Sequence, residues 1–345
     1  MFFIVIKKEE KMNKSFLNLL LEKKLNLIHM AGNKFDVSDM IIEKDFWVCW
    51  LLEKLFKLPI KMAFKGGTSL SKVFNLIKRF SEDIDITIDY TNFRQELDLT
   101  NTSRSQLKKI SNKLKEQLQI YVSETVVPYL HAQLLKIPNT KSFEIVLNDD
   151  GERLQFYYPS IVSQQLGYLR DHVLIEFGIR NSTEPCEKHD IVTYLGRVVD
   201  NENIILPKPK IDILSPVRTF WEKATLMHVE CHRNRFNKNP ERLSRHWYDL
   251  FMLYNSDIGK QASSSTDILQ SVIEHKKAFF NASYTNYDDC LNGKFNLIPS
   301  EINQVNLAKD FNKMIQAGMF YESPPKFDEM VKSLRELETT LNKAE

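Results

Sequence analysis

Cysteine is scarce in this chain: four in 345 residues, Cys49, Cys186, Cys231 and Cys290, with no C-x-x-C pair among them. The scatter argues against a disulfide framework and a zinc knuckle, and it suggests reduced thiols in a cytoplasm. Glycine and proline are also sparse, at ten and twelve residues, and no Gly/Ser-rich linker marks a domain boundary. Excess charge of one sign is missing. Against 47 basic side chains stand 45 acidic ones, a net charge of +2, so any RNA contact must come from local patches. No apolar run approaches the roughly 20 residues of a membrane span, and Met1 to Ile6 is too short for a signal-peptide core and carries no cleavage site. No membrane partner is expected. Met12 offers an alternative start that would leave the first eleven residues as an unstructured extension. What remains, 43% hydrophobic and 27% charged, is the composition of a soluble globular protein of one large domain or two ordinary ones.

Where glycine is rare, a doubled glycine stands out. Gly66-Gly67 follows a short apolar run, Ile60 to Phe64, that reads as a strand. It precedes Thr68 to Lys78, whose apolar Leu70, Val73, Phe74 and Ile77 read as a helix. At such a turn the missing Cβ atoms and the helix N-terminus let backbone N–H groups approach a phosphate. Gly66, Gly67, Thr68 and Ser69 are therefore candidate nucleotide contacts, with Arg79 and Ser81 beyond them. Ile84 to Ile88 then alternates as a second strand, so Asp83 and Asp85 project from one face and form a candidate Mg²⁺ site.

This arrangement resembles the core motif of the DNA polymerase β-like nucleotidyltransferases. Lys65 to Lys72 followed by Arg79 to Asp85 is similar, more narrowly, to the AbiEii/AbiGii-type nucleotidyltransferase toxins of abortive-infection and toxin–antitoxin systems. Glu43 to Trp47, Arg218 to Lys223, Arg245 to Leu250 and a C-terminal stretch from Asp310 to Phe327 match in the same order, so the resemblance spans roughly residues 40 to 340. It implies an α+β fold, a polymerase β-like mixed sheet flanked by helices with a helical C-terminal half. It also implies a third metal-holding acid, for which Glu176 in Leu174-Ile175-Glu176-Phe177 is the best match, ahead of Asp212. A carboxylate inside an apolar strand must meet a cation; the rival is an ion pair to Arg180 or Arg170. The resemblance assigns Lys223 to the triphosphate and makes Asp249 an essential acid that positions base or ribose, orients Lys223, or helps deprotonate the acceptor. The expected catalytic set is Asp83, Asp85, Glu176, Lys223 and Asp249, with two Mg²⁺ ions and a nucleoside triphosphate.

Other features are read more plainly. Residues 14–31 and 39–58 read as helices, 100–135 as mostly helical, and 143–147, 153–158 and 173–179 as strands. Ser215 and Pro216 read as the start of another helix. Glu43, Lys44 and Asp45 flank the nucleotide pocket in this reading. His228 and His232, four apart, lack a third ligand and read as structural, as does His246. Trp221 and Trp247 stand where the family often has other residues, which makes them candidates for altering base preference. Arg233, Arg235, Arg242 and Arg245 form a candidate RNA patch. The expected layout is residues 1–38 as extension and helix, 39–210 as the nucleotidyltransferase domain and 211–345 as a helical domain contributing to the cleft. The leading function is transfer of a nucleotide to the 3′ end of tRNA by a toxin with a cognate antitoxin. The alternatives are nucleotidylylation of a protein or small molecule, and a non-catalytic nucleotide- or RNA-binding module.

Overall fold

The computed structural model describes residues 14–94, 97–99, 101–138, 142–162, 168–199, 204–233 and 242–343. Among the described residues nine strands are β1 (Lys14–Ser15), β2 (Met62–Lys65), β3 (Ile84–Ile88), β4 (Glu144–Leu147), β5 (Arg153–Tyr157), β6 (His172–Gly178), β7 (Cys186–Asp190), β8 (Ile204–Ile205) and β9 (Lys210–Leu214). The α-helices are α1 (Leu21–Phe35), α2 (Asp39–Leu55), α3 (Gly66–Lys72), α4 (Arg104–Tyr121), α5 (Val127–Leu134), α6 (Pro216–His232), α7 (Ser244–Tyr254), α8 (Asp257–Ser263), α9 (Thr266–Phe279), α10 (Tyr287–Leu291), α11 (Glu301–Gln316) and α12 (Phe327–Leu341). Seven strands form one mixed sheet in the order β4-β5-β6-β3-β2-β9-β7. β3 runs parallel to β6 and antiparallel to β2, which is parallel to β9. The expected α+β class, a mixed sheet flanked by helices, is what the chain adopts.

One face of the central strands is apolar because it is covered. Ile84, Ile86 and Ile88 of β3 and Val173, Ile175 and Phe177 of β6 are buried in the core. On one side lies α2, buried almost all round, with Trp47 and Trp50 packed in an aromatic cluster with Phe156 and Tyr158. Its Glu43, Lys44 and Asp45 do not flank the pocket. Glu43 accepts from Ser160 Oγ at 2.6 Å and Ile161 N at 2.8 Å, Lys44 donates to Glu82, and Asp45 pairs with Lys72. These charges sit inside the fold because each meets a partner there.

Two expected helix boundaries move. The helix expected over 14–31 begins at Leu21, because residues 14–15 pair with β8 and Phe16 stacks on Phe46 with centroids 4.7 Å apart. The helix expected over 68–78 spans Gly66–Lys72. Beyond it the chain pairs with a distant segment instead: Phe80 N–H donates to Met319 O at 2.7 Å, Tyr321 N–H donates to Lys78 O at 3.0 Å, and Asn75 takes a positive φ of 52° to make the bend. The boundary expected at 210 falls on the first residue of β9, a sheet strand, and the helical part starts at Pro216. There Ser215 Oγ accepts from Val217 N–H at 3.2 Å, the cap expected from sequence.

Candidate active site

Register builds the floor of the site. Asp85 lies opposite Glu176 on β6 and opposite Lys65 on β2, and Glu176 lies opposite Arg153 on β5. Strand partners share a face, so Lys65, Asp85, Glu176 and Arg153 form a row of four charges across four strands. The ends of the row are paired. Arg153 Nε donates to Glu176 Oε1 at 2.9 Å, and Lys65 Nζ lies 3.1 Å from Glu222 Oε2 on α6. Glu176 is thus neither fully buried nor partnered by Arg170 or Arg180: its side chain is 37% exposed and Arg153 takes it. Asp85, in the middle, has no ion-pair partner among the described residues. Burial, then the charges of Glu176 and Asp83, push its carboxyl up to about 7. A crowded, unpaired carboxylate beside a second acid fits a divalent cation.

Asp83 is held differently. Its Oδ1 takes Arg170 Nη1 at 2.6 Å and its Oδ2 takes Arg245 Nη1 at 2.9 Å. Burial opposes ionisation here, but the two arginines outweigh it and keep the carboxyl below its ordinary value. Each oxygen therefore accepts one guanidinium bond and keeps a further lone pair. Among the described residues the only His, Cys and carboxylate trio with all ligand atoms within 4.8 Å is His228, His232 and Asp289. His228 is not free to ligate, since Nδ1 accepts from Asn296 N–H at 3.0 Å and Nε2 lies 3.1 Å from Asn286 O. It is a packed histidine, as its sequence context implied.

The glycine turn leans on these acids. Gly66 has φ of +83°, and a Cβ there would stand 2.0 Å from Asp85 Oδ2. Only glycine lets the turn approach the carboxylate so closely. A Cβ on Gly67 would stand 2.7 Å from Arg79 Nη2 and 2.9 Å from Ser81 Oγ. The hydroxyls of Thr68 and Ser69, expected on the phosphates, turn inward and are fully buried. Thr68 Oγ1 lies 2.5 Å from Asp83 O and 2.9 Å from Ser81 Oγ, and Ser69 Oγ donates to Gly66 O at 2.9 Å. They fix the turn, because any hydroxyl buried there must find a partner.

Opposite the turn, α6 and α7 supply a hub. Asp249 is completely buried and accepts Arg79 Nε and Nη2, each at 2.8 Å, and Lys223 Nζ at 2.8 Å. Burial opposes its ionisation, yet Arg79 and Lys223 hold its carboxyl well below the ordinary carboxylate range. Of its three sequence-level roles, the geometry favours orienting Lys223: a carboxylate so strongly stabilised is a poor base, and three of its roughly four acceptor sites are taken.

The turn, the acid row and the hub all line one cavity of about 650 Å³. A family model for the AbiEii nucleotidyl transferase toxin of type IV toxin–antitoxin systems matches residues 50–333. The chain belongs to this family. It is a nucleotidyltransferase toxin of a type IV toxin–antitoxin system. Among solved structures it resembles MenT4, a nucleotidyltransferase toxin from Mycobacterium tuberculosis, at 15% identity and a TM-score of 0.41, covering 94% of this chain and 98% of that one. No curated protein matches its sequence.

The remaining site residues of this AbiEii-family enzyme scatter. Of the expected RNA patch, Arg245 pairs with Asp83, and Arg242 pairs with Glu82 at 2.5 Å and donates to Tyr168 O. Both guanidiniums turn onto carboxylates, and Arg245 and Arg233 line the cavity. Arg235 lies outside the described residues. Trp221 and Trp247 are core: the first stacks on Phe295 with centroids 6.0 Å apart, and the second donates from Nε1 to Leu297 O at 3.1 Å. His246 does line the cavity, kept neutral by burial and then by nearby Lys223 and Arg245. Sequence reasoning passed over Lys276, Phe280 and Tyr284, which also line the cavity. Burial brings the Lys276 ammonium down to about 8 against the pull of Glu222. Lys276 and Lys277 are neighbours in sequence, and only the tertiary fold brings the first to the cavity.

Proposed function

We propose that this enzyme transfers a nucleoside monophosphate from an NTP to the 3′-hydroxyl of tRNA, with divalent cation dependence. The carrying observation is the unpaired Asp85 beside Glu176 on the floor of a cleft whose wall holds Lys223. The charge balance of the cleft supports metal dependence. Six basic side chains on its lining (Lys65, Arg79, Lys223, Arg233, Arg245, Lys276) face six acidic ones (Asp83, Asp85, Glu176, Glu222, Glu230, Asp249). With no positive surplus, the cleft alone does not offset a triphosphate.

Asp85, Glu176 and Asp83 would hold the cation, with Arg170 and Arg245 fixing the Asp83 carboxylate beside it. A divalent cation there supplies Lewis acidity at the phosphates and the acceptor hydroxyl. Lys223, oriented by Asp249, anchors the triphosphate, and the Gly66-Gly67 backbone approaches it from the other side. The acceptor oxygen attacks the α-phosphorus, the bond to the bridging oxygen breaks, pyrophosphate leaves, and the hydroxyl proton departs toward the carboxylate row. Catalysis rests on positioning and electrostatics.

A cognate antitoxin follows from family membership. To test the acceptor, the protein is incubated with Mg²⁺, each labelled NTP and total bacterial tRNA, beside Asp85→Asn. Label in RNA with the intact protein alone is expected. Mg²⁺-dependent NTP binding without label in RNA would redirect the search to protein or small-molecule acceptors.

A further inference from the structure

The cleft extends well past the phosphate-facing residues, and its far end changes character. Lys223 and Arg233 both line it from α6 and the residue following that helix. At about 1.5 Å rise per residue the two are roughly 15 Å apart along the cleft. Between them α6 adds the apolar Leu226 and Val229 to the lining, and Phe280 and Tyr284 line the same cavity. Those two rings remain 36% and 39% exposed although each is pinned. The Arg180 guanidinium sits 4.8 Å from the Phe280 ring centre, and Arg233 sits 5.1 Å from that of Tyr284 while donating to its hydroxyl at 3.2 Å. Arg180 and Arg233 are in turn anchored by Glu152 at 3.6 Å and Glu230 at 3.4 Å.

Two exposed aromatic rings, each backed by a fixed guanidinium and set at the end of an otherwise charged cleft, are matched to a flat, π-rich ligand. We propose that Phe280 and Tyr284, braced by Arg180 and Arg233, form the stacking seat for the nucleobase of the incoming nucleoside triphosphate. The proposal rests on the nucleotidyltransferase reading and deepens it: the phosphate end of the cleft takes what all NTPs share, and this end takes the base. Stacking tolerates any base, so the seat contributes affinity rather than base discrimination.

The test compares a non-hydrolysable α,β-methylene NTP with inorganic tripolyphosphate, which lacks sugar and base, by calorimetry in Mg²⁺. The proteins are wild type, the Phe280→Ala/Tyr284→Ala double variant and Tyr284→Phe, all checked for an unchanged melting profile. The double variant is expected to bind the methylene analogue about tenfold more weakly, the scale of base–aromatic stacking. It should bind tripolyphosphate like wild type, and Tyr284→Phe should keep most of the analogue affinity. Unchanged analogue affinity in the folded double variant overturns the seat and leaves the nucleotidyltransferase reading intact. Unchanged analogue affinity with weakened binding of a 3′-hydroxyl RNA oligonucleotide overturns the assignment to the incoming nucleotide and gives the seat to the acceptor base. Failure of wild type to bind either polyphosphate overturns the parent reading and this one with it.

Discussion

Without a bound cation the charge of Asp85, crowded by Glu176 and Asp83, would cost the fold stability. Removing the charge should stabilise the protein. Asp85→Asn is expected to raise Tm by a few degrees without metal, measured by scanning calorimetry at pH 7.5, while abolishing nucleotide transfer. Mg²⁺ should raise the Tm of wild type and leave that of the variant nearly unchanged; equal stabilisation of both would remove Asp85 from the metal site. Lys276 gives a second residue-scale signature. Its ammonium, brought down to about 8, is largely charged at pH 7 and largely neutral at pH 9. NTP affinity should therefore fall as pH rises through that value, seen as a rising KM. Lys276→Met should bind more weakly at pH 7 and show a flatter profile. A wild-type KM independent of pH from 7 to 9 would exclude the lysine from the phosphates. Asp85 was legible in the sequence because a spacing of two on a strand fixes a shared face. Lys276 was not, because burial and the nearness of Glu222 depend on how α9 packs on α6.

At the scale of elements, legibility followed the range of the interactions. The strand at 84–88 and the helix from Pro216 were readable because alternation and a Ser-Pro cap act locally. The end of α3 was misjudged because residues 78–80 pair with 319–321, more than two hundred positions away, and no local pattern records that pairing. The same segment delivers Arg79 to Asp249 and Ser81 to Thr68, so the early end of the helix is what lets the chain return to the site. The turn between β2 and α3 is correspondingly intolerant. Gly66→Ala meets both a positive φ and the Asp85 carboxylate. It is expected to lose stability by ~1 kcal/mol or more from backbone strain alone and to lose most transferase activity by displacing Asp85. Denaturant titration and the labelled transfer assay measure the two effects; wild-type activity in Gly66→Ala would show that the turn tolerates a Cβ and does not set the position of the acid.

Across the whole molecule, the ion cluster of Arg79, Asp249 and Lys223 links the sheet to the helices. Arg79 comes from the segment feeding β3, Asp249 from α7 and Lys223 from α6. All three are buried, so Asp249 does more than orient Lys223: it neutralises two cations inside the fold. Removing it leaves both uncompensated, and Asp249→Ala is expected to cost about 3–5 kcal/mol. The pH dependence separates charge from packing. The folded-state pKa of Asp249 is depressed below its ordinary 3.8, so its stabilisation is fully present above that value and is lost as pH falls toward the folded pKa. Asp249→Asn keeps the shape and lacks the charge. The stability difference between wild type and Asp249→Asn, measured by urea unfolding, should therefore be constant from pH 7 down to about 5 and shrink steadily below the ordinary value. A difference that stayed constant into strong acid would mean that the cluster holds the two halves by shape and hydrogen bonds, with the charge of Asp249 contributing nothing.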